Sequence, residues 1–321
     1  MTTRLVAALL ALPIALAAQT PAPATPRVPP PDSFRVYFIT DMEGMASVVF
    51  NREIISGYEG ERYRTQSSQD YWNHYRGLFT LEVNAAIAGA RRGGARSFVI
   101  NEGHGGNLFA NLLPWELDTA ALLIRGWPKP MVMSTGLDST AGALFFIGAH
   151  ANAGTPGVIA HTYAFDRFSV NGRVLNETGI NALVAGEYGV PVVMVSGDDV
   201  AVSQAKQQLG PGVVGVVTKW ALGRSAAVTL SPAVVRQLLA DSAAAAVRKA
   251  MRGEIRPFTL PKPYQIEFTV RRSYPDSLVA PIDTISGFRL EKTAPRVYRF
   301  VTSDAREMAR MLDAIELVVL R

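Results

Sequence analysis

From residue 35 to residue 252 short apolar runs alternate with stretches of helical periodicity, and that alternation limits the fold more than any other feature. Arg35–Thr40, Ser97–Asn101, Ala143–Gly148, Pro191–Ser196 and Val213–Thr218 read as strands. Between them, Asp70–Arg92, Pro114–Ile124, Glu177–Tyr188, Val200–Leu209 and Ser231–Arg252 read as helices. In the first helix Leu78, Leu81, Ala85, Ala86 and Ala90 share one face, and Gly93-Gly94 stops it. Ser231-Pro232 caps the last. Apolar runs that alternate with helices predict a three-layer α/β sandwich around a mostly parallel sheet.

The end of the chain has a different rhythm. Tyr264–Arg271, Gly287–Lys292 and Arg296–Thr302 read as strands, Pro275–Ile282 as a short helix and Asp304–Val319 as a longer one. That run predicts a small C-terminal α+β unit at 259–321, attached to a main α/β domain at 34–258. Asn171-Gly172, inside Val170–Val174, is a hairpin signal.

The start belongs to neither unit. One early arginine, an apolar run of 14 residues from Leu5 to Ala18 and small residues at its end make a secretory signal peptide over 1–18. The run is shorter than the ~20 residues a membrane-spanning helix needs, so cleavage near Ala17 or Ala18 and a secreted or periplasmic protein are expected, without stable membrane insertion. Residues 19–33 form a Pro/Ala-rich linker. Cysteine is absent, which removes thiol catalysis and thiolate metal sites. The net charge of +5 is thinly spread, and its densest cluster, Arg91-Arg92 with Arg96, sits at a helix C-terminus where cations complement the dipole. A stripe of basic residues with interleaved aromatics is missing, so nucleic acid is not an expected partner.

The chemistry gathers where strands end. In VYFITDMEGM an apolar strand runs into Asp41 and Glu43, which is costly unless a cation meets them. There are four histidines, and three follow apolar runs: His104 in SFVINEGH, His150 in ALFFIGAH and His161 in PGVIAH. In open α/β sheets ligands bind in the crevice beyond the carboxyl ends of the strands, so these groups are expected to meet in one crevice. His74, among Tyr71, Trp72 and Tyr75 of a helix, reads as a surface or packing residue. Alternate residues share one side of an extended chain, so Asp41 and Glu43 both reach one point. Imidazoles with carboxylates and no thiolate favour zinc, with manganese or cobalt as alternatives. Glu177, at the start of a helix, completes the set or simply caps that helix.

The motifs Asp41-Met42-Glu43-Gly44, Gly103-His104, Gly148-Ala149-His150-Ala151, Thr155-Pro156-Gly157-Val158 with His161, and Asn176-Glu177 with Asn181-Ala182 resemble the D-aminopeptidase family, peptidase family M55, also labelled dipeptide-transport protein DppA. The likeness continues through Val193–Asp199, Lys219 and Arg224-Ser225-Ala226. It implies an aminopeptidase with two zinc ions per subunit, acting on short peptides with N-terminal residues such as D-Ala, and a ring-shaped homo-oligomer. Asp41 would bridge the ions, Glu43 and His150 would hold one, and His104 and Glu177 the other; His161 would be catalytic. The family commonly has Asp-Ser-His where this chain has Glu102-Gly103-His104, and the leader is a second departure, since the family's reference members look cytoplasmic.

Two metals would acidify a water, polarise the scissile carbonyl and anchor the peptide's amine, and His161 would move the proton. Asp198 and Asp199 read either as partners of the histidines or as helix caps. Two competing readings remain. A haloacid-dehalogenase-like phosphatase shares the acidic first motif and a Gly-Asp-Asp, but needs an aspartate where Glu43 stands. A non-catalytic periplasmic peptide-binding protein has no use for a cluster of metal ligands.

Overall fold

A computed structural model describes residues 34–55, 66–106, 109–274, 277 and 287–319; the expected leader and linker lie outside them. Seven strands form the main sheet in the order β3-β2-β1-β4-β7-β8-β9. They are β1 (Arg35–Thr40), β2 (Ser97–Glu102), β3 (Ala121–Ile124), β4 (Ala141–Ala149), β7 (Val192–Asp198), β8 (Val214–Gly223) and β9 (Ala226–Thr229). All neighbours run parallel except β8 and β9. Helices α1 (Asn51–Ile54), α2 (Gln66–Gly93), α3 (Glu177–Glu187) and α4 (Asp199–Leu209) lie in crossovers between parallel strands, and α5 (Pro232–Met251) follows β9.

The central strands are apolar along their whole length because both of their faces are buried. Along β1, Val36 and Phe38 face a core with Val83 and Ile87 of α2 and Leu239 and Val247 of α5. Tyr37 and Ile39 face the opposite core, with Leu183 and Val184 of α3. The same alternation splits β4, where Phe145 joins the first core and Phe146 the second. The three-layer sandwich with a mostly parallel sheet is therefore the observed architecture.

On the α3 side lies a second, antiparallel sheet of five strands, ordered β11-β12-β10-β5-β6. Strands β10 (Tyr264–Val270), β11 (Glu291–Ala294) and β12 (Val297–Thr302) come from the C-terminal stretch, as does helix α6 (Ala305–Val319). The hairpin β5 (Phe165–Val170) and β6 (Arg173–Val174) turns at Asn171-Gly172 and completes that sheet, β10 pairing with β5. Phe168, Phe268 and Tyr298 stack in its apolar face. The C-terminal α+β elements thus share a sheet with residues inside 34–258.

One expected element is corrected. Pro114–Ile124 is not a helix: residues 114–120 turn, with Ala120 N donating to Asp118 Oδ1 at 2.9 Å. Ala121–Ile124 then pairs with β2 as the sheet's edge strand. Short apolar runs are ambiguous in periodicity, and an open ladder on β2 decides this one. Pro275–Ile282, apart from residue 277, lies outside the described residues, and the strand expected at Gly287–Lys292 is observed at Glu291–Ala294.

Candidate metal centre

Strand β1 lies between β2 and β4, so the loop after β1 is flanked by the loops that carry His104 and His150. Two glycines let these loops touch. A Cβ on Gly44 would lie 2.1 Å from Ala149 O, and one on Gly148, whose φ is +82°, would lie 1.8 Å from Asp41 O. Instead Gly44 N donates to Gly148 O at 2.7 Å, and Asp41 N to Ile147 O at 2.8 Å. Glu177 begins α3 but does not cap it. Asn176 is the N-cap, its side chain accepting from Gly179 N, and this leaves Glu177 free to reach the crevice.

All six expected groups meet there. His104 Nδ1 lies 2.9 Å from Glu43 Oε1 and 3.7 Å from Asp41 Oδ1. His150 Nε2 lies 3.4 Å from Asp41 Oδ2 and 3.4 Å from Glu177 Oε1. His161 Nε2 stands further back, 3.8 Å from Glu43 Oε1 and 3.9 Å from Glu177 Oε1. Its ring stacks on His150 at 3.8 Å, and its side chain keeps 27% exposure while the five others are buried. His74 is exposed on α2, as expected.

Each imidazole is oriented by a backbone carbonyl. His104 Nε2 donates to Ile54 O, His150 Nδ1 to Ala151 O and His161 Nδ1 to Ile159 O, at 2.8, 3.0 and 2.8 Å. The opposite nitrogen of each then faces the carboxylates, the orientation in which metal-ligating histidines are held. Asp41 Oδ2, Glu43 Oε2 and His150 Nε2 are buried without a hydrogen-bond partner among the described residues. No lysine or arginine ion-pairs with Asp41, Glu43 or Glu177 among the described residues. Unpaired buried carboxylate oxygens are costly unless a cation lies among them.

The carboxylates and imidazoles of this cluster are strongly coupled. Burial and the charge of Glu43 push the Asp41 carboxyl well above its usual range. Burial raises Glu43 too, but His104 outweighs it and holds Glu43 well below. Burial lowers His150, yet Glu177 and Asp41 bring it up to about 10. Burial and the neighbouring charge of His150 push His161 down to about 4, which leaves its ring neutral at neutral pH.

Comparison with known proteins bears directly on this centre. The family model Peptidase_M55, D-aminopeptidase, matches residues 34–314, nearly all of the described chain. The chain belongs to the M55 family of D-aminopeptidases. A D-aminopeptidase from Bacillus subtilis (strain 168) is 36% identical over 229 residues, 71% of this chain and 78% of that protein. The solved structure described as the Zn-dependent D-aminopeptidase DppA from Bacillus subtilis, a self-compartmentalizing protease, superposes with a TM-score of 0.78 at 30% identity. It covers 90% of this chain and 98% of its own.

Within this M55 chain, the donor atoms fall into three groups. Asp41, Glu43 and His104 form one group within 4.8 Å, and Asp41, His150 and Glu177 another. Asp41 is common to both, with Glu43 beside His104 in the first and Glu177 beside His150 in the second. A third group, Glu43, His150 and His161, also meets that distance.

Residues whose roles the sequence left open prove to clamp the loops. Asp198 caps α4 through Ala201 N and accepts from Val158 N at 2.6 Å, and Asp199 accepts from Ala221 N. Both are therefore caps and loop ties rather than partners of the histidines. Arg224 Nη1 donates to Ala160 O at 2.8 Å, beside His161. Lys219 is buried and donates to the carbonyls of Glu43, Met45 and Val48, which pins the loop behind the Asp41–Glu43 pair.

Two hollows meet at the centre of this M55 site. A cleft of about 420 Å³ opens over Glu43, His104 and His161 towards Ala153, Asp166 and Arg224. A cavity of about 140 Å³ lies on the Asp41 and Glu177 side, walled by Phe109, Val132, Met133 and Tyr163. His161 and Arg271 line both. Arg271, and Glu316 at the far end of the chain, carry no motif and were not legible as site residues.

Proposed function

We propose that this chain is a zinc-dependent aminopeptidase that removes N-terminal residues, D-alanine among them, from short peptides. The observation that carries this reading is the convergence of three imidazoles and three carboxylates from separate loops, with three buried donor atoms left unpartnered. The donor set is nitrogen and oxygen alone, which suits zinc and admits manganese or cobalt. Two ions per subunit are supported by the two groups that share Asp41: one ion held by Asp41, Glu43 and His104, the other by Asp41, His150 and Glu177. When bound, the ions supply Lewis-acid polarisation of the scissile carbonyl and an acidified water.

The protein's own residues do the rest. His161, whose Nδ1 is committed to Ile159 O, offers Nε2 as the acceptor that takes a proton in the crevice and returns it to the leaving amine. Its partial exposure and longer distances favour that role over ligation. The cleft beyond it has room for the remainder of the peptide. The phosphatase and peptide-binding readings gain no support from the family or from the centre.

Assembly into a closed homo-oligomeric ring and export through the leader at 1–18 are part of the same reading. They rest on the self-compartmentalizing relative and on the leader's composition. Peptides released from the cell wall outside the cytoplasmic membrane are then the first substrates to try. Metal analysis of the purified protein, with D- and L-aminoacyl p-nitroanilides as substrates, tests the activity. A protein with bound zinc that cleaves none of them overturns it. Amino-terminal sequencing tests export, which a native chain starting at Met1 refutes.

A further inference from the structure

An aminopeptidase must tell a free α-amine from a peptide bond, and the metal-ligand carboxylates are poorly placed to do it because their charge is already spent on the ions. The smaller cavity holds one other acid. Glu316, on α6, is buried and lines this cavity opposite Phe109 and Met133. Its position relative to the centre is fixed by two consecutive amides: Tyr163 N donates to Glu177 Oε1 at 2.6 Å, and Ala164 N donates to Glu316 Oε1 at 2.9 Å. One carboxylate of this adjacent pair faces the metal groups and the other faces the cavity. Asp166, the acid lining the larger cleft besides Glu43, is already paired with Arg296 at 2.8 Å.

The charged groups around Glu316 are Glu177, Arg271 and Asp313. Arg271 lines the same cavity, yet no lysine or arginine forms an ion pair with Glu316 among the described residues. An acid buried beside two others, with one backbone donor and no ion pair among the described residues, is set up to gain from an incoming cation. The cavity, at about 140 Å³, is near the size that encloses a single benzene-sized group, so it takes one residue and not a run of chain.

We propose that this cavity receives the first residue of the peptide and that Glu316 binds its α-ammonium. The proposal rests on the aminopeptidase reading and moves recognition of the amine from the metals to the C-terminal helix. The scissile bond then falls where the two hollows join, beside His161, and the rest of the peptide leaves through the larger cleft.

The test compares D-alanyl p-nitroanilide with propionyl p-nitroanilide, which keeps the methyl group and the scissile bond but lacks the amine. Wild-type zinc enzyme prefers the amine. In E316Q, whose amide oxygen still accepts from Ala164 N, KM for the amine substrate rises about 10- to 100-fold, the scale of a hydrogen bond to a charged group. Zinc content and turnover of the propionyl compound stay as in wild type. E316D keeps the charge but draws it back, so KM rises by a smaller factor; it also serves if E316Q does not fold. Unchanged KM in both variants overturns the proposal, and so does an equal loss on both substrates, which marks a structural role. Wild-type enzyme that cleaves neither compound sinks the aminopeptidase reading itself.

Discussion

Replacing Lys219 with methionine keeps the bulk of the side chain and removes its three donors. The carbonyls of Glu43, Met45 and Val48 each lose an ammonium partner inside a fully buried site. At about 2 kcal/mol for each acceptor left unsatisfied, the loss is about 6 kcal/mol. Against it stands relief from burying the charge. Burial lowers the lysine from 10.5 to about 8, despite the charges of Asp198 and Glu82, and at about 1.4 kcal/mol per unit that strain is about 3 kcal/mol. The net expectation is a protein about 3 kcal/mol less stable near neutral pH. The sign with pH is fixed by the direction of the shift. Between pH 8 and 10.5 the unfolded lysine still carries its proton and the folded one has lost it. Wild-type stability therefore rises over that window, and the gap to K219M widens. Because the loop it pins begins at Glu43, zinc affinity should fall about 10- to 100-fold, as for other groups that support ligands. Urea unfolding at pH 7 and 9.5, with zinc competition against a chromophoric chelator, reads both effects. An unchanged midpoint with unchanged zinc affinity refutes the clamp, and a gap that narrows with pH refutes the account of the buried charge.

Chelation should abolish activity, and zinc, cobalt or manganese should restore it; full activity in protein shown to be metal-free by elemental analysis would falsify the centre. Alanine at His104 or His150 should lower metal content and turnover together. H161A should keep both ions and lose about 10²–10⁴-fold in kcat, and a single bound ion in H161A would make His161 a ligand instead. Gly44→Ala places a methyl group 2.1 Å from Ala149 O, an overpacking worth about 3 kcal/mol. A thermal melt within a degree of wild type would show that the loops separate without cost.

The main sheet was legible because its central strands are buried on both faces, which leaves uninterrupted apolar runs such as Val36–Ile39 and Leu144–Ile147. Four-residue β3 was not, since ALLI suits a helix as well as a strand and only the ladder on β2 decides. The second sheet was half legible. Its hairpin turn shows in Asn171-Gly172, but the pairing of Phe268 with Phe168 joins segments 100 residues apart, and no local signal records it. Glu316 was invisible for a related reason: on α6 it reads as one polar residue of an amphipathic helix, and only folding brings it beside Ala164.

The site's residues were readable and their spatial arrangement was not, and the cause is strand order. Sequence places Asp41, His104 and His150 after the first, second and fourth strands in chain order. It does not say that the first strand lies between the other two. Once it does, Asp41 is central by construction. His104, after β2, approaches it from one side through Oδ1, and His150, after β4, from the other through Oδ2. A central position for Asp41, between the two histidines, therefore follows from topology. Glu43 lies two residues further on, and the loop sets its place. Gly44 packs against Gly148 while Lys219 holds the Glu43 carbonyl, and the Glu43 carboxylate is left 2.9 Å from His104. Glu177 comes from α3, and Tyr163 N holds its Oε1 within 3.4 Å of His150 Nε2. Glu43 also falls in a group with His150 and His161 within 4.8 Å, so the contact between the two loops brings its carboxylate near both histidines, with its shortest approach to His104.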